Sequence, residues 1–582
     1  MISSTSTTTA LRELQTLKAG VFSLGYLNGF IRHIHYGDIE VVRSVYMALR
    51  DQNWNTFEHT IENEIIDDQG DHFTIEYDCY YEVQEQRIFS WHVLITGLAN
   101  SVVTFEVQGK AITDVLKNRA GICVLHPIKH TAGNPCELLH PDGSRIKKFF
   151  PTTISADNPF KNLKGFRWRC QYEWYVLEFE GDIFETEDQR NWSDASYKTF
   201  CTPLDKPFPV QLKAGDNVHQ KITFKAESEL LPIPNLNKPV EIIALERKSK
   251  LPAIGIAAST EVEVLSEEML QLLHALRLSH YRIEVRPSAP DWIEKFTLDC
   301  QNATALKLPL EIGLHIADIK ELGQFYQMVN QLKASVKQII LLSTDQPATD
   351  PTLVREFTSI KNHLPSTLIG AGTDHNFREL NCNRFDGNLL DFISYSIDPQ
   401  EHATDDLTII ENIGAQSDTV ESARALYGQR KAVHVSSLTL RKRFNPAATV
   451  SKDKFLSNDK KADPRQQTPF TAAFTLGSIK TLAHADANSV TYYQTVGRQG
   501  VISSAGKKYP VYDVLKEILS DEKQEIVHTE SNNPLYCDGL LLKSQNSFKL
   551  ILVNYTDSPQ RVIFRKDEFL LTPYEIKVQH IH

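Results

Sequence analysis

One short segment, Asp398–Asp406 (DPQEHATDD), combines an imidazole with several carboxylates. A histidine can accept or donate a proton near neutral pH, and a nearby carboxylate can orient its ring. Asp405 and Asp406 follow His402 closely enough along the chain to play that part. We therefore predict that His402 is a general base oriented by Asp405 or Asp406. The alternative is that one of these aspartates caps or charges the first turn of a following helix.

Other polar residues follow short apolar runs, and together they offer the donors and acceptors that a hydroxylated ligand needs. Arg286 is predicted to stabilise a developing oxyanion, and its alternative role is an ion pair with a neighbouring glutamate. The predicted substrate-binding residues are Asp374, His375, Asn376, Asn381, Glu284, Tyr493 and Gln494. The secondary candidates are Glu187, Asp188, Arg190 and Glu411. For residues 374–376 the alternative is a turn.

Metal-binding patterns are weak in this sequence. His33 and His35 form an H-x-H on a predicted strand, and no H-E-x-x-H occurs. The eight cysteines are scattered without a C-x-x-C pair, which argues against a zinc ribbon or a disulfide scaffold. We predict no cofactor and no bound metal, and leave a divalent metal open.

Charge and hydropathy restrict the partners. The net charge of −11, from 62 basic and 73 acidic residues, disfavours nucleic acid and anionic membranes. No run approaches the roughly 20 apolar residues of a membrane helix. The first residues lack the apolar segment of a secretory signal. We expect a cytoplasmic protein that acts on a small molecule, with its oligomeric state open.

The 582 residues exceed what one hydrophobic core supports, so several domains must position these groups. Residues 1–19 are predicted to be a flexible terminus. Residues 20–238 read mainly as alternating or β-branched strands and predict a β-sandwich, with 111–118 as the best short helical exception. The Pro/Asn-containing stretch 231–238 predicts a linker. Residues 504–582 predict a small β domain.

Between residues 239 and 503, eight short apolar runs alternate with helical patterns. This alternation predicts a (β/α)8 barrel of the TIM type, whose active site lies at the carboxyl ends of its strands. A doubly wound open sheet is the alternative, but no G-x-G-x-x-G follows any of the runs. Long insertions at 397–412 and 436–467 follow the sixth and seventh predicted strands, on the catalytic face.

The same barrel could cleave sugars. Common sugar-cleaving barrels carry glutamates after strands four and seven, whereas this chain has Asp345 after the fourth and Ser436 and Ser437 in the seventh. That departure lowers the glycoside hydrolase alternative, in which Glu379 or Glu411 would be the acid. A further alternative is a non-catalytic carbohydrate-binding protein.

Several long motifs carry a family resemblance. They include Glu187–Lys198 (EDQRNWSDASYK), Ile31–Trp54, Gly372–Asn381 (GTDHNFRELN), Asp398–Asp406, Phe444-Asn445-Pro446 and Tyr492–Gly500 (YYQTVGRQG). In these stretches the chain resembles the D-apionolactonase (D-apionate lactonase) family of bacterial apiose catabolism, from about residue 20 to 575. The resemblance implies a β domain, a barrel and a closing β domain, and hydrolysis of D-apionolactone to D-apionate.

Two features qualify what the resemblance implies. Relatives often carry Glu where this chain has Gln494, so a catalytic group at that position would be altered here. The motif Glu187–Lys198 mixes charges with aromatics, and polar groups in such surroundings need partners. We predict that it forms a polar network that stiffens the β domain. The alternative is that Glu187, Asp188 or Arg190 reaches the ligand.

Overall fold

The computed structural model describes residues 14–231, 233, 238–443, 457–521, 524–544 and 547–581. Close contacts divide them into two compact units. The first unit contains the described residues up to 189 together with 196–233, and the second contains 190–195 and the described residues from 238 onward. Most of the terminus predicted to be flexible lies outside the described residues, as does the Phe444–Pro446 motif, but residues 15–19 form a strand.

The first unit is built of two antiparallel sheets. Its strands are β1 Gln15–Ala19, β2 Phe22–Leu27, β3 Phe30–Tyr36, β4 Ile39–Asp51, β5 His59–Asp68, β6 Phe73–Val83, β7 Gln86–Leu98, β8 Val102–Ala111, β9 Val115–Pro127, β10 Pro135–Leu139, β11 Arg145–Phe149, β12 Phe160–Leu163, β13 Gly165–Cys170, β14 Glu173–Glu180, β15 Phe184–Asp188, β16 Ser196–Phe200, β17 Val210–Leu212 and β18 Asn217–Ala226. One sheet runs β1-β2-β3-β4-β9-β16-β15-β12 with β17 beside β9, and the other runs β11-β10-β13-β14-β18-β8-β7-β6-β5.

Period-two patterning explains how these sheets pack. In β6, Phe73, Ile75 and Tyr77 are buried while the residues between them face solvent. The predicted β-sandwich is therefore confirmed. The helix predicted at 111–118 is wrong, because Ala111 ends β8 and Val115 begins β9, and both strands are held by neighbours in their sheets.

The second unit contains a closed parallel barrel. Its strands are β20 Ala253–Ala257, β21 Tyr281–Val285, β22 Leu310–Ile316, β23 Val336–Ser343, β24 Leu368–Gly372, β25 Phe392–Ile397, β26 Ala432–Leu438 and β27 Ser489–Val496, followed by the short β28 Gly500–Ile502. Neighbours pair in chain order, and β20 also pairs with β27. The eight-stranded barrel predicted from the alternation is confirmed.

Helices lie between the barrel strands and after them. They are α1 Glu267–His274, α2 Trp292–Leu306, α3 Glu321–Leu332, α4 Pro351–Val354, α5 Phe357–His363, α6 Phe377–Cys382, α7 Asp406–Glu411, α8 Ala415–Tyr427, α9 Asn458–Lys461, α10 Pro469–His484 and α11 Pro510–Ile518. Short 3-10 turns occur at Gln189–Trp192, Asn412–Gly414 and Pro464–Gln467. None of the helices in the described part of the chain is long and apolar enough to span a membrane.

A seven-stranded sheet closes the second unit. It runs β33-β32-β19-β29-β30-β31-β34 and is formed by β19 Val240–Lys250, β29 Glu525–Ser531, β30 Cys537–Lys543, β31 Phe548–Asn554, β32 Gln560–Phe564, β33 Asp567–Leu571 and β34 Ile576–Ile581. Strand β19 pairs with β29 and β32. Residues 240–250 thus belong to the closing sheet, although they lie within the range predicted for the barrel.

The barrel interior is polar along two neighbouring strands. Side chains two residues apart on a strand share a face, so Arg282 and Glu284 of β21 lie side by side. On β22 the facing position is Gly313. A Cβ added there would stand 2.5 Å from Glu284 Oε2 and 2.9 Å from Arg282 Nη2. The missing side chain makes room for this ion pair.

Replacing Gly313→Ala is therefore expected to displace the ion pair and destabilise the protein by about 1–3 kcal/mol, the usual cost of overpacking. Urea unfolding followed by circular dichroism measures this. Gly323→Ala is the matched control, because nothing lies within 4 Å of its added Cβ on the exposed side of α3. That change is expected to stabilise by up to about 1 kcal/mol. Equal effects of the two substitutions would contradict the packing argument.

Candidate active site

Four side chains converge at the carboxyl ends of the barrel strands. Glu284 and His315 are the penultimate residues of β21 and β22, while Asp374 follows β24 and Arg443 follows β26. His315 Nε2 lies 2.7 Å from Glu284 Oε2 and 3.9 Å from Asp374 Oδ2. Arg443 lies 3.7 Å from Glu284 and 4.0 Å from Asp374. The last three distances are too long for direct hydrogen bonds. All four are 4.0 Å or less, so the four side chains form one compact cluster. We call Glu284, His315, Asp374 and Arg443 the mouth cluster.

A buried polar network anchors the mouth cluster from below. Arg282 is 1% exposed and donates to Glu284 Oε1 at 2.9 Å. It also lies 3.5 Å from Glu311, which is fully buried. Glu311 accepts further hydrogen bonds from Gln338, Ser436 and Thr491. These bonds satisfy a charge that could not otherwise be buried.

Arg443 is fixed by bonds to neighbouring strand ends. Its Nη2 donates to Ser396 Oγ at 3.0 Å and to the backbone carbonyl of Asp374. Its guanidinium is thereby held beside both carboxylates of the mouth cluster while remaining partly exposed. A guanidinium in this position can bind a carbonyl oxygen or a carboxylate.

The electrostatics of the mouth favour ionised carboxylates. Burial would raise the pKa of Glu284, but Arg282 and His315 outweigh it and hold that pKa well below its usual value. Burial likewise opposes ionisation of Asp374, and His315 and Arg443 lower its pKa. For Glu311, His280 and Arg282 overcome burial and bring the pKa to about 2. The carboxylates of the mouth are therefore acceptors or bases rather than acids.

A second imidazole–carboxylate pair involves His402. Its Nδ1 lies 2.5 Å from Asp194 Oδ2, and the ring of Trp192 meets its ring edge-on at 5.4 Å. Asp194 belongs to residues 190–195, which contacts assign to the second unit. Asn412 holds this segment by donating to Asp194 Oδ1 at 2.9 Å and accepting from the Ala195 amide at 2.9 Å. We call Trp192, Asp194, His402 and Asn412 the rim cluster.

The partner predicted for His402 is wrong. Asp405 is the N-cap of α7 and accepts from the amide and hydroxyl of Thr408 at 3.0 and 2.8 Å. Asp406 forms an ion pair with Arg465 at 2.5 Å. The helix-start alternative therefore describes both aspartates, and Asp194 orients His402 instead.

Some of the other predicted residues lie in or beside the mouth cluster, and the rest lie outside it. Glu284 and Asp374 belong to the mouth cluster, and His375 Nε2 lies 3.5 Å from Asp374 Oδ1. Arg286 is exposed just beyond β21, and the ion pair with Glu284 considered for it is made by Arg282. The Asn376 amide lies 3.4 Å from Glu401.

Three predicted substrate-binding residues have partners within the fold. Asn381 is buried and donates to Asn191 at 3.0 Å. Tyr493 is buried, and its hydroxyl shares a hydrogen bond with Thr475 at 2.8 Å. Gln494 accepts from the Thr260 amide at 3.0 Å. Their roles in binding a ligand stay predictions.

The secondary candidates lie in different places. In the first unit, Glu187 pairs with Lys198 at 2.9 Å across β15 and β16, and Asp188 accepts from the Ser155 amide at 3.1 Å. In the second unit, Arg190 is buried 3.4 Å from Asp418, and Glu411 is buried in α7. The partners of Glu187 and Asp188 agree with the predicted polar network of the β domain.

Sequence reasoning missed Arg282, Arg443, Asp194 and the role of His315. For Arg282 and His315 a signal existed, because each occupies an inward-facing position on a barrel strand. Arg443 lies in the basic stretch LRKRF, where nothing distinguishes it from its neighbours. Asp194 is distant from His402 in sequence, and no local pattern links the two.

Asp398, the first residue of the segment that contains His402, has an unusual carboxyl group. Its side chain is buried, and burial together with the nearby charges of Glu401 and Asp194 raises its pKa to about 8, although Lys442 opposes this. Its carboxyl accepts from the Gln400 amide at 3.2 Å. Burial and the neighbouring carboxylates thus favour the protonated form of Asp398.

Comparison with protein families gives two matches. Residues 2–229 match the model described as "D-apionate lactonase, N-terminal domain", and residues 254–523 match "D-apionate lactonase, TIM barrel domain". A curated relative from Brucella anthropi, named D-apionate lactonase, is 28% identical over 96% of this chain and 96% of its own.

Solved structures resemble the chain only distantly. A family 51 α-L-arabinofuranosidase from Bifidobacterium longum has a TM-score of 0.41 and 11% identity, covering 57% of this chain and 88% of that one. A β-arabinopyranosidase has a TM-score of 0.34 and 10% identity, covering 97% and 98%. At these TM-scores neither likeness bears on function.

The raised pKa of Asp398 predicts how stability depends on pH. The folded state keeps a proton that the unfolded chain releases above its ordinary pKa of 3.8. The free energy of unfolding should therefore fall as pH rises from about 4 to about 8, by at most about 1.4 kcal/mol per pH unit. Asp398→Asn keeps the shape without the titration. Urea midpoints should thus decline less with pH in the variant, and parallel profiles would contradict this assignment.

Proposed function

Because the chain belongs to the D-apionate lactonase family, we propose that it hydrolyses the branched aldonolactone D-apionolactone to D-apionate. The two family models together match more than half of the chain, and the named relative aligns over nearly its whole length. The chemistry must then be carried by groups at the carboxyl ends of the barrel strands.

The reaction sets the requirements. Water adds to the lactone carbonyl and forms a tetrahedral intermediate with a negative oxygen. The bond between the carbonyl carbon and the ring oxygen then breaks, and the ring oxygen takes a proton to become a hydroxyl. The acid product ionises, so one proton is released per turnover. A base, an oxyanion-binding group and a proton donor are needed.

One observation carries the assignment of the base: Asp194 binds Nδ1 of His402 at 2.5 Å. A carboxylate at one ring nitrogen fixes the ring's orientation and stabilises the imidazolium that forms when the other nitrogen accepts a proton. The His402 side chain is partly exposed. We propose that His402 removes the proton from the attacking water and that it returns this proton to the leaving alkoxide.

The mouth cluster supplies the binding groups. Arg443 lies partly exposed between Glu284 and Asp374 and takes the place proposed for Arg286 as the guanidinium that faces the carbonyl oxygen. Asp374 and His375 offer acceptors and donors to the hydroxyls of the substrate. Arg286, exposed at the same end of the barrel, stays a candidate for binding the product carboxylate.

The glycoside hydrolase alternative finds less support at the mouth. A glycosidase needs one protonated carboxyl opposite a second carboxylate. Glu284 and Asp374 both have lowered pKa values, so neither is that acid. Burial raises the pKa of Glu379, but this residue belongs to α6 and not to the mouth cluster. The non-catalytic alternative is disfavoured because the relative that aligns over 96% of this chain is named a lactonase. We further propose that the protein is cytoplasmic and acts in apiose catabolism.

The first test measures turnover. Adding D-apionolactone to the protein should release protons, followed with a pH indicator, while aryl glycosides stay intact. His402→Ala should lower kcat at least about 100-fold, the lower end of general-base effects, and leave the fold unchanged by circular dichroism. His363→Ala, an exposed histidine at the end of α5, is the control and should keep full turnover. Undiminished kcat in His402→Ala would remove this residue from the mechanism.

A second test asks which aspartate orients the base. Asp194→Asn should lower kcat at least about 100-fold with little change in KM, because the imidazolium loses its counter-charge. Asp405→Asn is the matched control, since asparagine is also a good N-cap, and kcat should stay as in the wild type. A larger loss of kcat in Asp405→Asn than in Asp194→Asn would instead make Asp405 the residue that orients His402.

A further inference from the structure

The mouth cluster contains three potential ligand atoms that face one point. Glu284, His315 and Asp374 each offer one atom, and these atoms all lie within 4.8 Å of one another. They come from the ends of three different barrel strands, which hold them rigidly. His315 Nε2 and Asp374 Oδ2 are 3.9 Å apart, so they do not bond to each other directly.

The donor set has a chemical preference. One imidazole nitrogen with two carboxylate oxygens suits divalent transition metals such as Mn²⁺, Fe²⁺, Co²⁺ or Zn²⁺. Three protein ligands leave coordination positions open for water or substrate, as in catalytic rather than structural sites.

The remaining oxygens of the two carboxylates have their own partners. Arg282 binds Oε1 of Glu284 at 2.9 Å, which leaves Oε2 facing the shared point. His375 lies 3.5 Å from Oδ1 of Asp374, which leaves Oδ2 facing the same point. Such outer contacts orient ligating carboxylates in metal sites and strengthen binding. Gly313 keeps this space open, because its added Cβ would stand 2.5 Å from Glu284 Oε2.

The local charges also favour a cation. Three carboxylates, Glu284, Asp374 and Glu311, face two guanidinium groups, Arg282 and Arg443. Within the mouth cluster, two carboxylates stand against the single guanidinium of Arg443. His315 now bonds to Glu284 at 2.7 Å, so ligation by its Nε2 requires that this nitrogen carry no proton.

We propose that Glu284, His315 and Asp374 bind one divalent transition-metal cation at the mouth of the barrel. The inference deepens the proposed lactonase function and rests on it for its purpose. A cation at this point would polarise the lactone carbonyl together with Arg443 and lower the pKa of an attacking water, whose proton His402 accepts. The ligands and the base are then separate residues with separable effects.

Metal binding can be measured without any turnover. The full-length protein is treated with a chelator, desalted and titrated with Mn²⁺, Co²⁺ or Zn²⁺ by calorimetry, and bound metal is counted by mass spectrometry after gel filtration. We expect one ion per chain. His315→Ala and Asp374→Asn should each weaken binding at least about 100-fold, since losing even outer contacts costs 10- to 100-fold. Circular dichroism checks that both variants fold.

Two controls make the result specific. His92 lies 2.9 Å from Asp78 and 3.4 Å from Glu76 on the surface of the first unit, so this trio is a matched exposed cluster. His92→Ala should leave the bound ion in place. His402→Ala should also keep it while losing turnover.

The outcomes separate the two proposals. If the wild-type protein holds none of the three ions, or if His315→Ala and Asp374→Asn bind as the wild type does, the metal site is refuted. Full lactone hydrolysis by chelator-treated protein would refute its catalytic purpose and leave the lactonase proposal intact. Specific metal binding without any hydrolysis of D-apionolactone would refute the lactonase proposal and leave the site intact.

Discussion

A single buried cation organises the functional end of this protein. Arg282 is enclosed in the barrel and must be neutralised there, because an unpaired charge in that environment would cost several kcal/mol. It meets this requirement by contacting Glu311 below and Glu284 above. Glu284 in turn fixes the ring of His315. The position of the mouth cluster thus follows from the need to neutralise Arg282 in the interior. The absence of a side chain at Gly313 leaves room for the Arg282–Glu284 pair.

Two clusters with different origins underlie the lactone hydrolysis that we propose. The mouth cluster comes mainly from strand ends, where the rigid barrel fixes distances between carboxylates, imidazole and guanidinium. The rim cluster depends on a loop, and Asn412 secures it by bonds to Asp194 and Ala195. Separating the groups that bind charge from the group that moves a proton allows each environment to be tuned independently.

The periodic spacing of apolar residues in the sequence predicts most of the architecture. Alternation of apolar runs with helical stretches predicts the barrel, and period-two burial predicts the sandwich, because both patterns are local. The stretch 111–118 has a helical pattern but becomes two strand ends, since pairing within the sheets overrides local preference. Residues 240–250 fall within the range predicted for the barrel, whereas the partners of β19, which are β29 and β32, follow it by more than 270 residues. Sequence order alone does not show such pairings.

The site was harder to predict than the fold for the same reason. His402 stood out by residue type, but the nearby Asp405 and Asp406 are drawn to the start of α7 and its surroundings, where helix caps and ion pairs satisfy them. Arg286 was predicted and Arg282 was not considered, because exposed and buried arginines look alike in a sequence. Only the inward-facing register of β21 separates them.

The assignment of residues 190–195 to the second unit has a consequence for recombination between relatives. Asp194 is encoded among the strands of the sandwich, yet its partners His402 and Asn412 are encoded more than 200 residues later. A chimaera that joins the sandwich of one relative to the barrel of another would mix these two halves of one hydrogen-bonded pair. To keep this hydrogen-bonded network within one parent, a chimaera must take residues 190–195 from the same relative as the barrel, although these residues lie between two strands of the sandwich.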